Sequence, residues 1–252
     1  MKLIGIKLSV LTAALMISLS GRGETHYRPH LSVGGHGGVS LGKMSFSPGV
    51  KQGWLMGPEA GVSIRYAEEK IFGLVGEINF SQRGWNETFD DASLSYKRTL
   101  NYISIPVMTH IYFGSSRFKG FVNLGPEVSF MVSDNISSNF DYHNPASVGI
   151  SGRQTDQLTM EVSNKFDYGI TAGLGAEYYV KPRHSIYLEC RFYYGLGNIF
   201  PSKRADTFSA SRTMSLSATL GYNFRLKRVG LRGVGFLTIL FKLPQINQFP
   251  VR

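Results

Sequence analysis

The feature that most constrains this chain is a two-residue rhythm in which charge keeps to one phase. In the stretch 185–196, "SIYLECRFYYGL", Ile186, Leu188, Cys190, Phe192, Tyr194 and Leu196 alternate with Tyr187, Glu189, Arg191 and Tyr193. Successive side chains of a strand point to opposite faces, so one face here is uncharged and the other holds both charges. Period-2 alternation recurs in seven other segments, at about 30–46, 55–66, 72–82, 100–113, 118–132, 166–180 and 212–226, and in six of them one phase is free of charge over 58–66, 72–80, 103–113, 122–130, 168–178 and 216–224. Val62, Ile64, Leu74, Ile78, Ile105, Val107, Leu174 and Leu220 fall on the uncharged phase, and Glu59, Arg65, Glu77, Glu127 and Glu177 on the other.

The connectors alternate as well. "AEEK", "GSSR" and "KPRH" are short, whereas the segments about 47–54, 83–99, 133–165 and 197–211 are long. A meander with short turns at one end and long loops at the other is the pattern of a barrel that crosses an outer membrane. A soluble barrel would put its apolar face inside, and a membrane barrel puts it outside against lipid. Glycines favour the second arrangement: Gly57, Gly61, Gly125, Gly169, Gly173, Gly175 and Gly221 share the charged phase, where a narrow interior needs small residues between large ones. Tyr66, Phe72, Phe80, Phe113, Tyr168, Tyr178, Tyr222 and Phe224 bracket the uncharged face, as aromatic residues do at membrane interfaces. The expected fold is all-β: an eight-stranded antiparallel up-and-down transmembrane β-barrel with short periplasmic turns and long outer loops. Pro58, Pro106 and Pro126 lie inside the strands and imply local breaks in pairing.

An eight-stranded interior is just wide enough for side chains. Glu59, Arg65, Glu77, Glu127, Glu177, Glu189 and Arg191 are therefore expected to share one lumen charge network, since an unpaired buried charge is costly.

Residues 1–20 read as a signal peptide: Lys2 and Lys7, an apolar run over 8–19, then small residues at Ser18 and Ser20. Residues 21–29 follow as a periplasmic segment, 30–226 as the barrel, and 227–252 as a basic and apolar tail of undefined role. The net charge of +10 falls to +8 when Lys2 and Lys7 leave with the signal. For an exported chain this balance points to outer-membrane lipid with its anionic headgroups, to surface polysaccharide or to envelope proteins, and not to nucleic acid. In the tail, Lys227, Arg228, Arg232 and Lys242 suit the same headgroups. Cys190 is the single cysteine, so no intrachain disulfide forms.

The stretches "GLVGEINFSQRGW", "YISIPVMTHIYF" and "NLGPEVSF" carry a glutamate, an S-Q-x-G turn and an I-P in the next strand. In these the chain resembles the outer-membrane β-barrel domain family of Gram-negative bacteria, often labelled porin-like, over about 31–226. The resemblance implies an eight-stranded barrel in the outer membrane and assigns no single activity.

No catalytic, cofactor or metal site is expected. There is no H-x-x-x-H, C-x-x-C or acid-rich calcium loop, and "GGHGG" at 34–38 lacks the spacing of a phosphate fingerprint and suits a bend in the barrel. His36 and His110 are expected to pack in the lumen. The outer loop 133–165 supplies the candidate contacts Phe140, Tyr142, His143 and Arg153, because loops on a rigid scaffold often carry function. The chain reads as a non-enzymatic barrel with a filled lumen, acting through its loops in surface interaction or envelope integrity. A narrow diffusion channel, an accessory of a secretion machine and a lipid-modifying enzyme are the alternatives.

Overall fold

The computed structural model describes residues 30–67, 71–91, 93–150, 155–202 and 206–226. The signal segment 1–20, the segment 21–29, the tail 227–252 and Arg153 lie outside the described residues. The strands are β1 (His30–Ser47), β2 (Gln52–Gly53), β3 (Leu55–Ala67), β4 (Phe72–Glu87), β5 (Tyr96–Gly114), β6 (Phe118–Ser138), β7 (Phe166–Lys181), β8 (His184–Gly195) and β9 (Ala210–Arg225). Each long strand pairs antiparallel with its neighbours in sequence, and β1 pairs β9 from Ser32↔Arg225 to Ser47↔Ala210. The sheet thus closes into a ring of eight. β2 is a rung of two residues on the outer end of β4. Closure satisfies the backbone polar groups within the sheet, which a lipid interior demands.

The two phases of each strand take opposite sides of this ring. Val62, Leu174, Leu188 and Leu220 are 56–63% exposed on the outer wall, whereas Glu189 is 1% and Glu177 2% exposed inside. Cys190 lies on the outer wall. Gly38 shows why the interior phase is rich in glycine: a Cβ there would stand 2.0 Å from the Ala218 carbonyl oxygen of β9. The prolines interrupt the ladder locally. Pairing of β4 with β5 skips from Val107 to Ser104 across Pro106, and that of β5 with β6 skips from Pro106 to Thr109 opposite Pro126, because a proline has no N–H to donate.

Two sequence expectations need correction. Residues 83–99, expected as an outer connector, are mostly strand, since β4 runs on to Glu87 and β5 begins at Tyr96; the S-Q-x-G stretch ending at Gly84 lies within β4 and makes no turn. Likewise β6 continues to Ser138, which shortens the loop expected at 133–165. The physical reason is a change of surroundings. Above the lipid the outward face meets water and becomes polar (Gln82, Asn86), while the inward face becomes apolar (Trp85, Leu100, Tyr102), so the hydrophobic phase flips.

Candidate functional site

The lumen is built in layers, each centred on an arginine. Nearest the periplasmic end, Arg65 of β3 reaches Glu177 of β7 at 3.0 Å, with its guanidinium over the Phe121 and Tyr187 rings. Ser185 and Asn223 donate to the same carboxylate at 2.6 and 3.2 Å. In the next layer, Arg191 of β8 forks between Glu77 of β4, at 2.7 and 3.1 Å, and Glu189, at 2.9 Å. Asn79 donates to Glu77 and Asn123 to Glu189, both at 2.9 Å. His110 Nδ1 lies 2.7 Å from Asn123 Oδ1 and His36 Nδ1 lies 3.3 Å from the Tyr187 hydroxyl, so both histidines are part of the filling. Above this, Arg83 pairs with Glu127 at 2.5 Å and stacks 4.1 Å over Tyr193, while Ser217 donates to Glu59 at 3.3 Å. The structure thus brings Arg65 to Glu177 and Arg191 to Glu77 and Glu189, while Glu127 and Glu59 lie in the layer above.

Arg83 escaped the sequence reading because it was assigned to a connector. So did Arg98, which forms the top layer: its Nε and Nη2 donate to Asp134 at 2.9 and 2.5 Å, and its Nη1 donates to the Met160 carbonyl at 2.7 Å. The usable signal was strand parity, since 83 and 98 continue the inward phases of 77–81 and 100–104.

Over these layers sits an apolar plug. Met44, Phe46, Trp85, Tyr96, Leu100, Tyr102, Met131, Leu158, Ile199, Phe200 and Phe208 form one buried cluster contributed by strand ends and loops. Phe46 packs edge-on to Trp85 at 5.3 Å and stacks on Phe200 at 6.1 Å. The short helix Asp156–Thr159 is tied into this plug: Tyr96 donates to the Leu158 carbonyl at 2.9 Å and Gln157 to Glu87 at 2.5 Å. At the other end, the space left between Arg65, His110, Lys119 and Arg225 is about 10 Å³, room for one water.

The candidate loop residues divide. Phe140 packs on Phe89 at 5.4 Å and Tyr142 on Tyr96 at 6.0 Å, so both rings brace the loop against the plug. His143 is exposed beside Tyr142. A cleft of about 460 Å³ opens between the outer part of β6 and residues 159–165, floored by Met131, Ile136, Met160 and Val162 and rimmed by Asp134, His143 and Lys165. In the loop between β4 and β5, the Ser93 N–H donates to Asp91 at 2.8 Å and holds that carboxyl below its ordinary pKa.

A closed ring with an apolar outer wall, a charge-filled bore and elaborated loops at one end defines a small outer-membrane β-barrel. The chain belongs to the outer membrane protein beta-barrel domain family, whose model matches residues 7–201, and it resides in the outer membrane. No curated protein matches it. Among solved structures it is similar to Neisserial surface protein A, at 16% identity and a TM-score of 0.42 over 79% of this chain and 100% of that one. It is also similar to the outer membrane protein OprG from Pseudomonas aeruginosa (10% identity, TM-score 0.49, 80% and 98% covered) and to the outer membrane enzyme PagL (11%, 0.36, 77% and 98%).

Proposed function

We propose that this chain is a sealed barrel that works from its outer end, in surface interaction or envelope integrity, and neither conducts solutes nor catalyses a reaction. The observation that carries this reading is the continuity of the filling: arginine layers from Arg65 to Arg98 run into the plug around Trp85 and Phe200. The loop 139–165 is braced at Phe140, Tyr142, Leu158 and Met160, which supports its use as a presented surface for polysaccharide or another envelope protein. Planar-bilayer recording of the purified full-length protein tests the sealed bore. No steady conductance is expected, and a reproducible open level would replace this reading with a narrow channel. Co-purification of envelope partners from cross-linked cells would favour an accessory of a secretion machine, and acyl release from outer-leaflet lipid that vanishes in His143→Ala would favour a lipid-modifying enzyme.

A further inference from the structure

Where the apolar wall ends at the outer side, the outward face turns polar in two different ways. On β4, β5 and β6 the polar belt pairs with itself: Gln82 donates to Asn101 at 2.9 Å and Asn101 to Ser133 at 2.6 Å. On β8, β9 and β1 the same height is held by two cations, Arg212 and Lys43. Lys43 lies opposite Met214 and Ser45 opposite Arg212 across the β1–β9 seam. The two cations are therefore diagonal neighbours on one outward face, with Cα atoms ~7–8 Å apart. Among the described residues neither has a carboxylate partner. Their neighbours are aromatic: Lys43 Nζ sits 5.7 Å from the Trp54 ring centre, and Arg212 Nη1 donates to the Tyr194 hydroxyl at 3.4 Å. Arg212 Nε is buried without a hydrogen-bond acceptor. Trp54 itself is 47% exposed, and directly below lies bare apolar wall at Val39, Met56, Phe192 and Leu216.

We propose that this patch binds the phosphate-bearing headgroup of an outer-leaflet glycolipid. The phosphate oxygens accept from the Lys43 ammonium and the Arg212 guanidinium, the sugar lies against Trp54, and the acyl chains run down the wall toward Val39 and Leu216. Two cations that straddle a strand seam match one doubly charged oxyanion, and guanidinium suits phosphate geometry. The aromatic residues on either side mark the depth at which headgroups meet hydrocarbon. The site belongs to the wall and stands independently of what the loops do.

The test uses the full-length barrel in detergent, titrated with bisphosphorylated lipid A and with the same lipid after phosphatase treatment, with bound lipid read by native mass spectrometry. Wild type is expected to retain the phosphorylated lipid and to lose most binding once the phosphates are removed. Lys43→Gln and Arg212→Gln should each weaken retention about tenfold, the worth of one charge-assisted hydrogen bond. Lys97→Gln, an exposed cation on β5 away from the patch, should leave retention unchanged. Equal retention of phosphate-free lipid, or equal loss in the Lys97 variant, overturns the site. Displacement of the lipid by an equal concentration of inorganic phosphate overturns the assignment to a lipid. Retained heat-modifiable gel mobility certifies that each variant is folded, and if one is not, the comparison of the two lipids on wild type decides.

Discussion

Arg191 is the residue on which the filling of this barrel turns. It holds Glu77 and Glu189 together, and either carboxylate can be neutralised while the other keeps the guanidinium paired. Glu189→Gln is therefore expected to cost about 1 kcal/mol, the net worth of one hydrogen bond. Arg191→Leu leaves two carboxylates facing each other in the bore and should cost about 3–5 kcal/mol, with part recovered when Glu189→Gln is added. One position away, on the lipid side, Leu188→Arg should cost ~2–4 kcal/mol by placing a charge in hydrocarbon. Urea unfolding in lipid vesicles measures all four variants. If Leu188→Arg is tolerated as well as Glu189→Gln, the faces of β8 are wrongly assigned. The alternation around Cys190 made both faces legible in the sequence, but which carboxylate meets which arginine was not, because Arg191 and Glu77 are 114 residues apart. Only the curvature of the closed sheet brings them together.

The elements divide at the membrane surface. Within lipid, the eight strand cores were legible from the sequence, because an apolar phase with no charge over five or six positions has few other solutions. Above lipid the same strands were misread, since the outward phase of β4 turns polar at Gln82 while the inward phase turns aromatic at Trp85. The rhythm persists there with its sign reversed, and parity counted onward from Glu77 would have carried Arg83 into the bore. The helix Asp156–Thr159 was invisible for another reason: four residues are too short to show a helical period, and its place is set by acceptors offered to Arg98 and Tyr96. Arg98→Ala should therefore loosen this loop without opening the barrel. The expected outcome is faster protease cleavage within 139–165, with the core barrel fragment still migrating as a folded species in an unboiled gel. Unchanged cleavage would mean that the aromatic packing at Phe140 and Tyr142 holds the loop unaided.

At the level of the whole molecule, the outer wall and the bore exchange the usual roles of surface and interior. Cys190 gives a direct probe of that exchange, because it stands at mid-height on the wall between Leu188 and Phe192. In vesicles it should resist a charged maleimide, react after unfolding in detergent, and quench a fluorophore carried on lipid acyl chains once it bears a nitroxide. Rapid labelling in intact vesicles would put this wall in water. The ring also has consequences in time. Arg65 on β3 meets Glu177 on β7, and Glu77 on β4 meets Arg191 on β8, so each pair spans strands on opposite sides of the circle. Arg83–Glu127 and Arg98–Asp134 join strands on one side of the circle and can form early, but a partly assembled sheet holds the two cross-ring pairs apart, so only closure completes the matching of the inner charges. The seam between first and last strands is thus also the moment of neutralisation, and a chain that stops before β9 is left holding charges it cannot match inside a membrane.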